Sequence, residues 1–294
     1  MAKMAAASAS MDAPEVVSLI KELSIPPCPA ALADVQRELK QDEPRMHILA
    51  HSVRSDVAMS GALLKVANSP LMGLSRKAES IEQAFMLLGA ARCEQLLTQI
   101  ALKNALPGDG PALWRFWDVS AKRSHAMWSL APRVGLNPAL SHTVGLFADV
   151  GIPLLVGRFK DPSYLETLAE ANRSDACFTD IEQERHRTDH AIVGAILARA
   201  WGMCQAATLA IRLHHDYDIL NESSAAAQEV ADLIALCLVV EHIIQRFQGL
   251  NQHNEWAKGG ESAMRVLAIS QADVDSWTDE ICDLFHQEAA EAEA

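Results

Sequence analysis

The stretch SDVAMSGALLKVANSPLMGLSRKAESIEQAFMLLG, residues 55–89, carries the pattern of two short helices. Its apolar residues recur at spacings of three and four, which is typical of one buried helix face. Ser55 and Ser80 are residue types that cap helix N-termini, and Asn68 and Gly89 are types that end helices or bend the chain. We therefore predict one helix from Ser55 to Asn68 and a second from Ser80 to Gly89.

The same helical spacing continues on both sides of this stretch. Gly and Pro together number 14 + 12 = 26 of 294 residues, and we find no run of alternating apolar and polar residues. We predict an all-α fold. The breaker-rich segment PGDGP at 107–111 separates long helical patterns and is the predicted lobe boundary. The predicted organisation is a disordered start at 1–11, an N-terminal helical lobe at 12–106, a linker at 107–111, and a second helical lobe with a C-terminal helical extension at 112–294.

Composition excludes several classes of partner. The formal net charge of −13 opposes non-specific binding to nucleic acid or anionic lipid. The longest apolar run, Leu233 to Val240, spans eight residues, far fewer than the roughly 20 that a membrane-spanning helix needs. The six cysteines form no CxxC pair, which is typical of reduced thiols in a cytoplasmic protein. We expect a cytoplasmic protein with no membrane span and no nucleic-acid partner.

Two motifs in residues 55–89 resemble a known family. The pattern L-x-x-A-N-S-x-x-[FMY]-G is followed by S-I-x-x-A-x-x-x-L-G, and this chain matches both at Leu64, Ala67, Asn68, Ser69, Met72, Gly73, Ser80, Ile81, Ala84, Leu88 and Gly89. The chain thus resembles the HDOD domain, a bacterial signalling module related to HD-domain and HD-GYP metal-dependent phosphohydrolases, over roughly residues 20–216. The resemblance implies a two-lobed helical architecture whose C-terminal lobe is similar to an HD domain.

The matched pair Asn68-Ser69 has two interpretations. Short polar side chains at a helix end bond readily to nearby backbone groups, so the pair can be a simple helix stop. Within the family resemblance, Asn68 can instead hold the N-terminal lobe against the HD-like lobe. Neither interpretation requires catalysis.

The resemblance also bears on metal binding. HD-type phosphohydrolases bind two divalent metals with His residues and a His-Asp pair, but here the corresponding positions of two His ligands hold Val119 and Ala148. Neither side chain can coordinate a metal, so we expect no two-metal hydrolytic site. The ligands that remain in the pattern are Asp149, His190, His214 and His215.

These four residues suggest two alternatives. One carboxylate and three imidazoles suffice for a single Fe, Mn, Zn or Ni ion if they converge. Alternatively they are polar groups with local structural roles, such as helix capping. His186 lies one helical turn before His190 and can join a metal site, but with Glu182 and Glu184 beside it a solvated charged face is the favoured interpretation.

Taken with the resemblance, these residues indicate a non-catalytic regulatory module that acts through protein–protein interaction. The implied partners are signalling proteins: a kinase, a response regulator or a cyclic-dinucleotide enzyme. The alternative is a single-metal phosphohydrolase or phosphodiesterase that uses Asp149 and the three histidines. A third hypothesis is a ligand sensor whose interlobe cleft binds a small anion or a nucleotide, with a basic patch formed by Arg76, Lys77, Arg92, Arg158 and Lys160.

Overall fold

A computed structural model describes most of the chain. The described residues are 2–14, 18, 22–23, 25–69, 72, 76–106, 110–161, 163–221, 225–249 and 254–292. Within these ranges the secondary structure is helical, with a single isolated β-bridge between Lys160 and Ser163. The predicted all-α fold class is confirmed.

The chain divides into two compact units. The small unit comprises Pro26–Leu106 and Phe285–Ala294, and the large unit comprises Met1–Ile25 and Pro107–Leu284. One edge of this division falls at Leu106/Pro107, beside the predicted linker, of which residues 107–109 lie outside the described residues. The units differ from the predicted lobes at both termini, because residues 1–25 belong with the second half of the chain and residues 285–294 with the first.

The small unit is a helical cluster whose buried residues include Leu32, Leu49, Leu63, Phe85 and Leu97. Its helices are α2 (Ala30–Leu39), α3 (Met46–Arg54), α4 (Val57–Ala67), α5 (Ile81–Leu88) and α6 (Ala90–Ala105).

The caps of the small unit agree with the sequence at one helix and differ at another. Ser80 caps α5 by accepting a hydrogen bond from the backbone N–H of Gln83, as predicted. Helix α4, however, is capped by Asp56, which accepts from Met59, and not by Ser55. The Ser55 hydroxyl donates to the Ser52 carbonyl, so Ser55 ends the preceding helix α3 instead.

The motif residue Asn68 ties two segments of the small unit together. Its Nδ2 donates to the Ala78 carbonyl at 2.8 Å and its Oδ1 accepts from the Ala78 N–H at 2.7 Å. Ser69 donates back to Val66, as expected at a helix stop. Gly89 has a φ of +81° between α5 and α6, a conformation that favours glycine, whereas Gly73 lies outside the described residues. Both hydrogen bonds between Asn68 and Ala78 are made inside the small unit.

The large unit is built around the buried helices α12 and α14. Its helices are α1 (Ala2–Ser10), α7 (Pro111–Leu130), α8 (Pro138–Phe147), α9 (Gly151–Arg158), α10 (Tyr164–Ala171), α11 (Phe178–His186), α12 (His190–Ala200), α13 (Gln205–Leu213), α14 (Ala225–Phe247) and α15 (Glu255–Val266), with 3-10 turns at Ala131–Val134 and Tyr217–Asn221. Helix α16 (Gln271–Ala292) contributes residues to both units. Residues 138–158 are apolar and long enough to cross a membrane, but 67% of the stretch is buried inside the protein, as expected of core helices.

Helix α1 occupies the stretch for which the sequence predicts a disordered start. It packs against α13, and its residue Ala7 and the following Met11 are buried. Lys3 Nζ also lies 2.7 Å from an Asp216 carboxylate oxygen and 2.9 Å from one of Asp218. Contacts with residues more than 200 positions away therefore stabilise this helix. The small side chains of the segment do not predict these contacts.

Other helices depart from the sequence pattern at identifiable residues. The stretch 148–157 contains Gly and Pro but forms most of helix α9, because Pro153 lies in its first turn, where no backbone donor is needed. The stretch from Asp180 to Trp201 continues one helical pattern in sequence but forms parts of two helices, which are separated where Arg187 adopts a φ of +56°. The sequence pattern does not predict helix α15.

Candidate metal centre

Four side chains converge at one point of the large unit. The ligand atoms of Asp149, His190, His214 and His215 all lie within 4.8 Å of one another. His190 Nε2 is 3.2 Å from Nε2 of both His214 and His215. Asp149 Oδ1 is 3.4 Å from Nε2 of both His190 and His214. The tertiary structure therefore brings together the four residues that the sequence pattern retains.

The convergence arises from three helix ends. Asp149 lies in the turn between α8 and α9, and His214 and His215 directly follow α13. His190 is the first residue of α12, whose N-cap Asp189 accepts from the backbone N–H of Ile192 at 2.7 Å. The first residue of α9, Gly151, permits the close approach, since an added Cβ would lie 2.3 Å from the His190 carbonyl oxygen.

Each of the three imidazoles turns its Nδ1 toward an acceptor outside the cluster. His190 Nδ1 lies 2.8 Å from Glu182 Oε2, and His215 Nδ1 lies 2.9 Å from Glu255 Oε2. His214 Nδ1 lies 2.7 Å from the Ile211 carbonyl oxygen. Ionised carboxylates and carbonyls only accept hydrogen bonds, so the proton of each neutral ring resides on Nδ1. Three Nε2 lone pairs and one carboxylate oxygen then face each other, an arrangement that needs a positive charge at its centre.

The pKa shifts follow the same electrostatics. Burial alone would lower the pKa of His190, but the carboxylates of Glu182 and Asp149 outweigh it and hold that pKa well above its usual value. Burial and the neighbouring His214 lower the pKa of His215 to about 4, despite the opposing effect of Glu255. His215 is therefore a neutral ligand at pH 7, while the His190 ring attracts a second proton when no other cation is present.

Arg123 supplies a further positive charge beside Asp149. This side chain, on α7, is fully buried; its Nε donates to the Gly145 carbonyl at 2.8 Å and its Nη1 to Asp149 Oδ2 at 2.6 Å. Glu241 Oε1 lies 4.0 Å from the same Nη1. Burial would raise the pKa of Asp149, but Arg123, together with His190 and His214, holds it well below its usual value. Burial and the Asp149 charge raise the pKa of Glu241 to about 7, although Arg123 opposes the shift.

Sequence analysis missed three residues that organise this centre. Glu182, interpreted as part of a solvated face, is fully buried and bonds both His190 and the hydroxyl of Tyr164. That interpretation was wrong because α11 packs its Glu182 side inward. Arg123 and Glu255 carry no signal in the sequence beyond their charge, and charged residues are exposed in most proteins.

Val119, Ala148 and His186, the other positions weighed as metal ligands, add no ligand to the centre. Val119 lines a neighbouring cavity and Ala148 is fully buried next to Asp149; neither offers a ligand atom. His186 is buried and pairs through Nε2 with the Thr167 hydroxyl at 2.9 Å, so it is neither solvated nor one of the converging ligands. Of the basic patch, Arg158 pairs with Glu22.

A cavity of about 510 Å³ adjoins the centre. Asp149, His215 and Glu241 contribute to its wall, and Phe178 stacks on the His215 ring with the ring centroids 4.6 Å apart. The other lining residues are mostly apolar, with polar groups from Arg115, Asn172, Arg173 and Gln245. The cavity is large enough for a small-molecule ligand and reaches two of the four candidate metal ligands.

The donor set fits one metal ion. Three neutral imidazoles and a carboxylate suit Zn, Fe, Mn or Ni, and their hydrogen bonds to Glu182, Glu255 and the Ile211 carbonyl are of the kind that orients metal-binding histidines. Asp149 Oδ2 accepts from Arg123, whose Nη1 also lies 4.0 Å from Glu241 Oε1, and the positions Val119 and Ala148 offer no ligand atom. The centre thus offers a complete ligand set for a first ion and not for a second.

Comparison with known proteins agrees with this fold. A crystal structure of a Shewanella amazonensis protein, provisionally named a phosphohydrolase, is 22% identical and covers 93% of this chain and 99% of its own, with a TM-score of 0.63. A Geobacter sulfurreducens HDOD domain protein of unknown function is 21% identical over 88% of this chain and 91% of its own, with a TM-score of 0.64.

A curated relative, an uncharacterized protein of Treponema pallidum, is 22% identical over 255 residues, 84% of this chain. The chain spans 47% of that relative's length. The family model of the HDOD domain matches residues 25–217, a range that contains both sequence motifs and all four converging ligands. The chain therefore belongs to the HDOD domain family.

Proposed function

We propose that this HDOD protein is a cytoplasmic signal-transduction module that regulates other proteins by binding them and does not turn over a substrate. Its expected partners are a kinase, a response regulator or a cyclic-dinucleotide enzyme. In this proposal Asp149, His190, His214 and His215 hold a single divalent ion. The observation that carries it is the pairing of Asp149 Oδ2 with the buried Arg123 guanidinium, where a two-metal site would need a second ion.

The residues of the centre have defined tasks in this proposal. Glu182 and Glu255 orient the His190 and His215 rings through Nδ1, and Arg123 neutralises Asp149. A bound divalent ion would supply the positive charge that the converging lone pairs lack, and it would link the ends of α8, α12 and α13. We expect the ion to stabilise the large unit and thereby preserve the surface that a partner binds.

The proposal is tested by metal content and by turnover in parallel. Untagged protein purified without chelator should contain about one equivalent of a transition metal, and the double variant His214→Ala/His215→Ala should contain none. The metal-loaded protein should hydrolyse p-nitrophenyl phosphate, bis(p-nitrophenyl) phosphate and cyclic di-GMP no faster than the double variant. Absence of metal in the purified and in the metal-reconstituted protein would contradict the single-ion site.

A second candidate function is single-metal phosphohydrolysis, which the cavity and Glu241 favour. The cavity reaches Asp149 and His215, and the Glu241 carboxyl in its wall has a pKa of about 7, suited to accepting or donating a proton at neutral pH. If this candidate is correct, hydrolysis should be lost in His214→Ala/His215→Ala and reduced at least ~100-fold in Glu241→Gln. Turnover that both variants abolish would replace the non-catalytic proposal.

A further inference from the structure

We propose that Arg123 is an internal cation that stands in for a second metal ion and limits this centre to one ion. The inference rests on the proposed single-ion site for its first ion, but it concerns the opposite side of Asp149. An internal cation at Arg123 accounts for the presence of Asp149 in a chain whose positions for two nitrogen ligands hold Val119 and Ala148. The fold of this chain is similar to that of a protein named as a phosphohydrolase.

The two carboxylate oxygens of Asp149 face different cations. Oδ1 faces the histidines, at 3.4 Å from Nε2 of His190 and of His214. Oδ2 accepts from Arg123 Nη1 at 2.6 Å. The guanidinium therefore holds the side of Asp149 that faces away from the histidines, where a second metal ion would have to be held.

The Arg123 side chain is held rigidly in this place. It is fully buried, and its Nε donates to the Gly145 carbonyl at 2.8 Å. Gly145 allows α8 to lie against α7, since an added Cβ would come within 2.9 Å of the Ser124 Cα. A guanidinium stays charged at any pH at which proteins are folded, so proton loss cannot vacate the position.

The environment of the guanidinium is that of a cation site. Glu241 Oε1 lies 4.0 Å from Nη1, so two acidic side chains surround one positive charge. Among the described residues, Arg123 Nη2 has no hydrogen-bond partner, although it is buried. Val119 precedes Arg123 by four residues on α7 and so shares its helix face, which lines the cavity at Val119. This face presents one cation where a metal-binding helix would present nitrogen ligands.

The test compares a variant that removes the charge and offers a metal ligand with a variant that keeps the charge. Arg123→His places an imidazole beside Asp149 and Glu241, whereas Arg123→Lys keeps a positive charge as the matched control. After equilibration with excess Mn²⁺ or Zn²⁺ and removal of free metal, ions per chain are counted by mass spectrometry, and melting temperature is recorded with and without metal. We expect the ion count of Arg123→His to be about twice that of Arg123→Lys.

Each outcome decides the proposal. Equal ion counts in the two folded variants would overturn it. If Arg123→His folds only with added metal, the metal replaces the lost charge and the proposal is supported. If Arg123→His stays unfolded with metal while Arg123→Lys folds, a metal ion cannot replace the charge and the proposal fails. The wild-type count keeps the two proposals apart: no ion in the wild type contradicts the proposed function, while the difference between the variants still reports on Arg123.

Discussion

The substitution Glu182→Gln tests whether the buried carboxylate behind His190 prepares the centre for a metal. Glu182 has no exposed surface, and its oxygens lie 2.8 and 2.9 Å from His190 Nδ1. The hydroxyl of Tyr164 donates to the same carboxylate. Glutamine has nearly the same shape but lacks the charge, and its amide nitrogen is a donor where Glu182 offers its second acceptor oxygen, so one of the two contacts with His190 Nδ1 is lost.

The magnitude follows from these contacts. Loss of a hydrogen bond to a buried charged group costs roughly 1.5–3 kcal/mol, so Glu182→Gln should lower the free energy of unfolding of the metal-free protein by about 2 kcal/mol. Loss of the charge behind a metal-binding imidazole typically weakens metal affinity roughly 10- to 100-fold. At about 1.4 kcal/mol for each factor of ten, metal binding should become weaker by about 1.4–2.8 kcal/mol.

The matched control lies on the same helix. Glu184→Gln makes the same change of charge two residues away at an exposed position. Competitive titration with a chelating indicator measures the metal dissociation constant of each variant, and urea unfolding with and without metal measures stability. An affinity for metal that is equal in Glu182→Gln and Glu184→Gln would refute the role assigned to Glu182.

Three further predictions concern other parts of the molecule. Asn68→Ala should lower the free energy of unfolding by about 2–3 kcal/mol, because both polar groups of Ala78 lose their partner; an unchanged urea midpoint would show that these bonds are dispensable. Glu241 has a pKa raised from 4.5 to about 7, so the folded protein loses stability as the pH rises through this interval. Glu241→Gln should therefore be more stable than the metal-free wild type by up to about 3 kcal/mol at pH 8, but not at pH 4. A difference in urea unfolding that does not change with pH would contradict this prediction. Burial raises the pKa of the Cys93 and Cys237 thiols to about 12, so iodoacetamide at pH 8 should leave both unmodified until the protein unfolds, as peptide mass spectrometry can check.

Local pattern was sufficient for much of the fold. The spacing of apolar residues predicts α4 and α5 within a few residues of their observed bounds, because the sequence of an amphipathic helix shows which face is buried. The spacing of apolar residues does not predict elements that depend on contacts with distant residues. Helix α1 depends on contacts with α13 and on Lys3 meeting Asp216, more than 200 residues away. Asn68 was recognised from its motif, but its partner Ala78 was not.

For the candidate site, side-chain chemistry alone shows from the sequence that Asp149 and three histidines can bind a metal and that Val119 and Ala148 cannot. That the four ligands meet is visible only in the folded chain, as is the inward position of Arg123, Glu182 and Glu255, which neutralise and orient them. A charged residue in a helix is exposed unless a specific partner offsets its desolvation, and for Arg123 and Glu255 that partner lies 26 and 40 residues away in the chain.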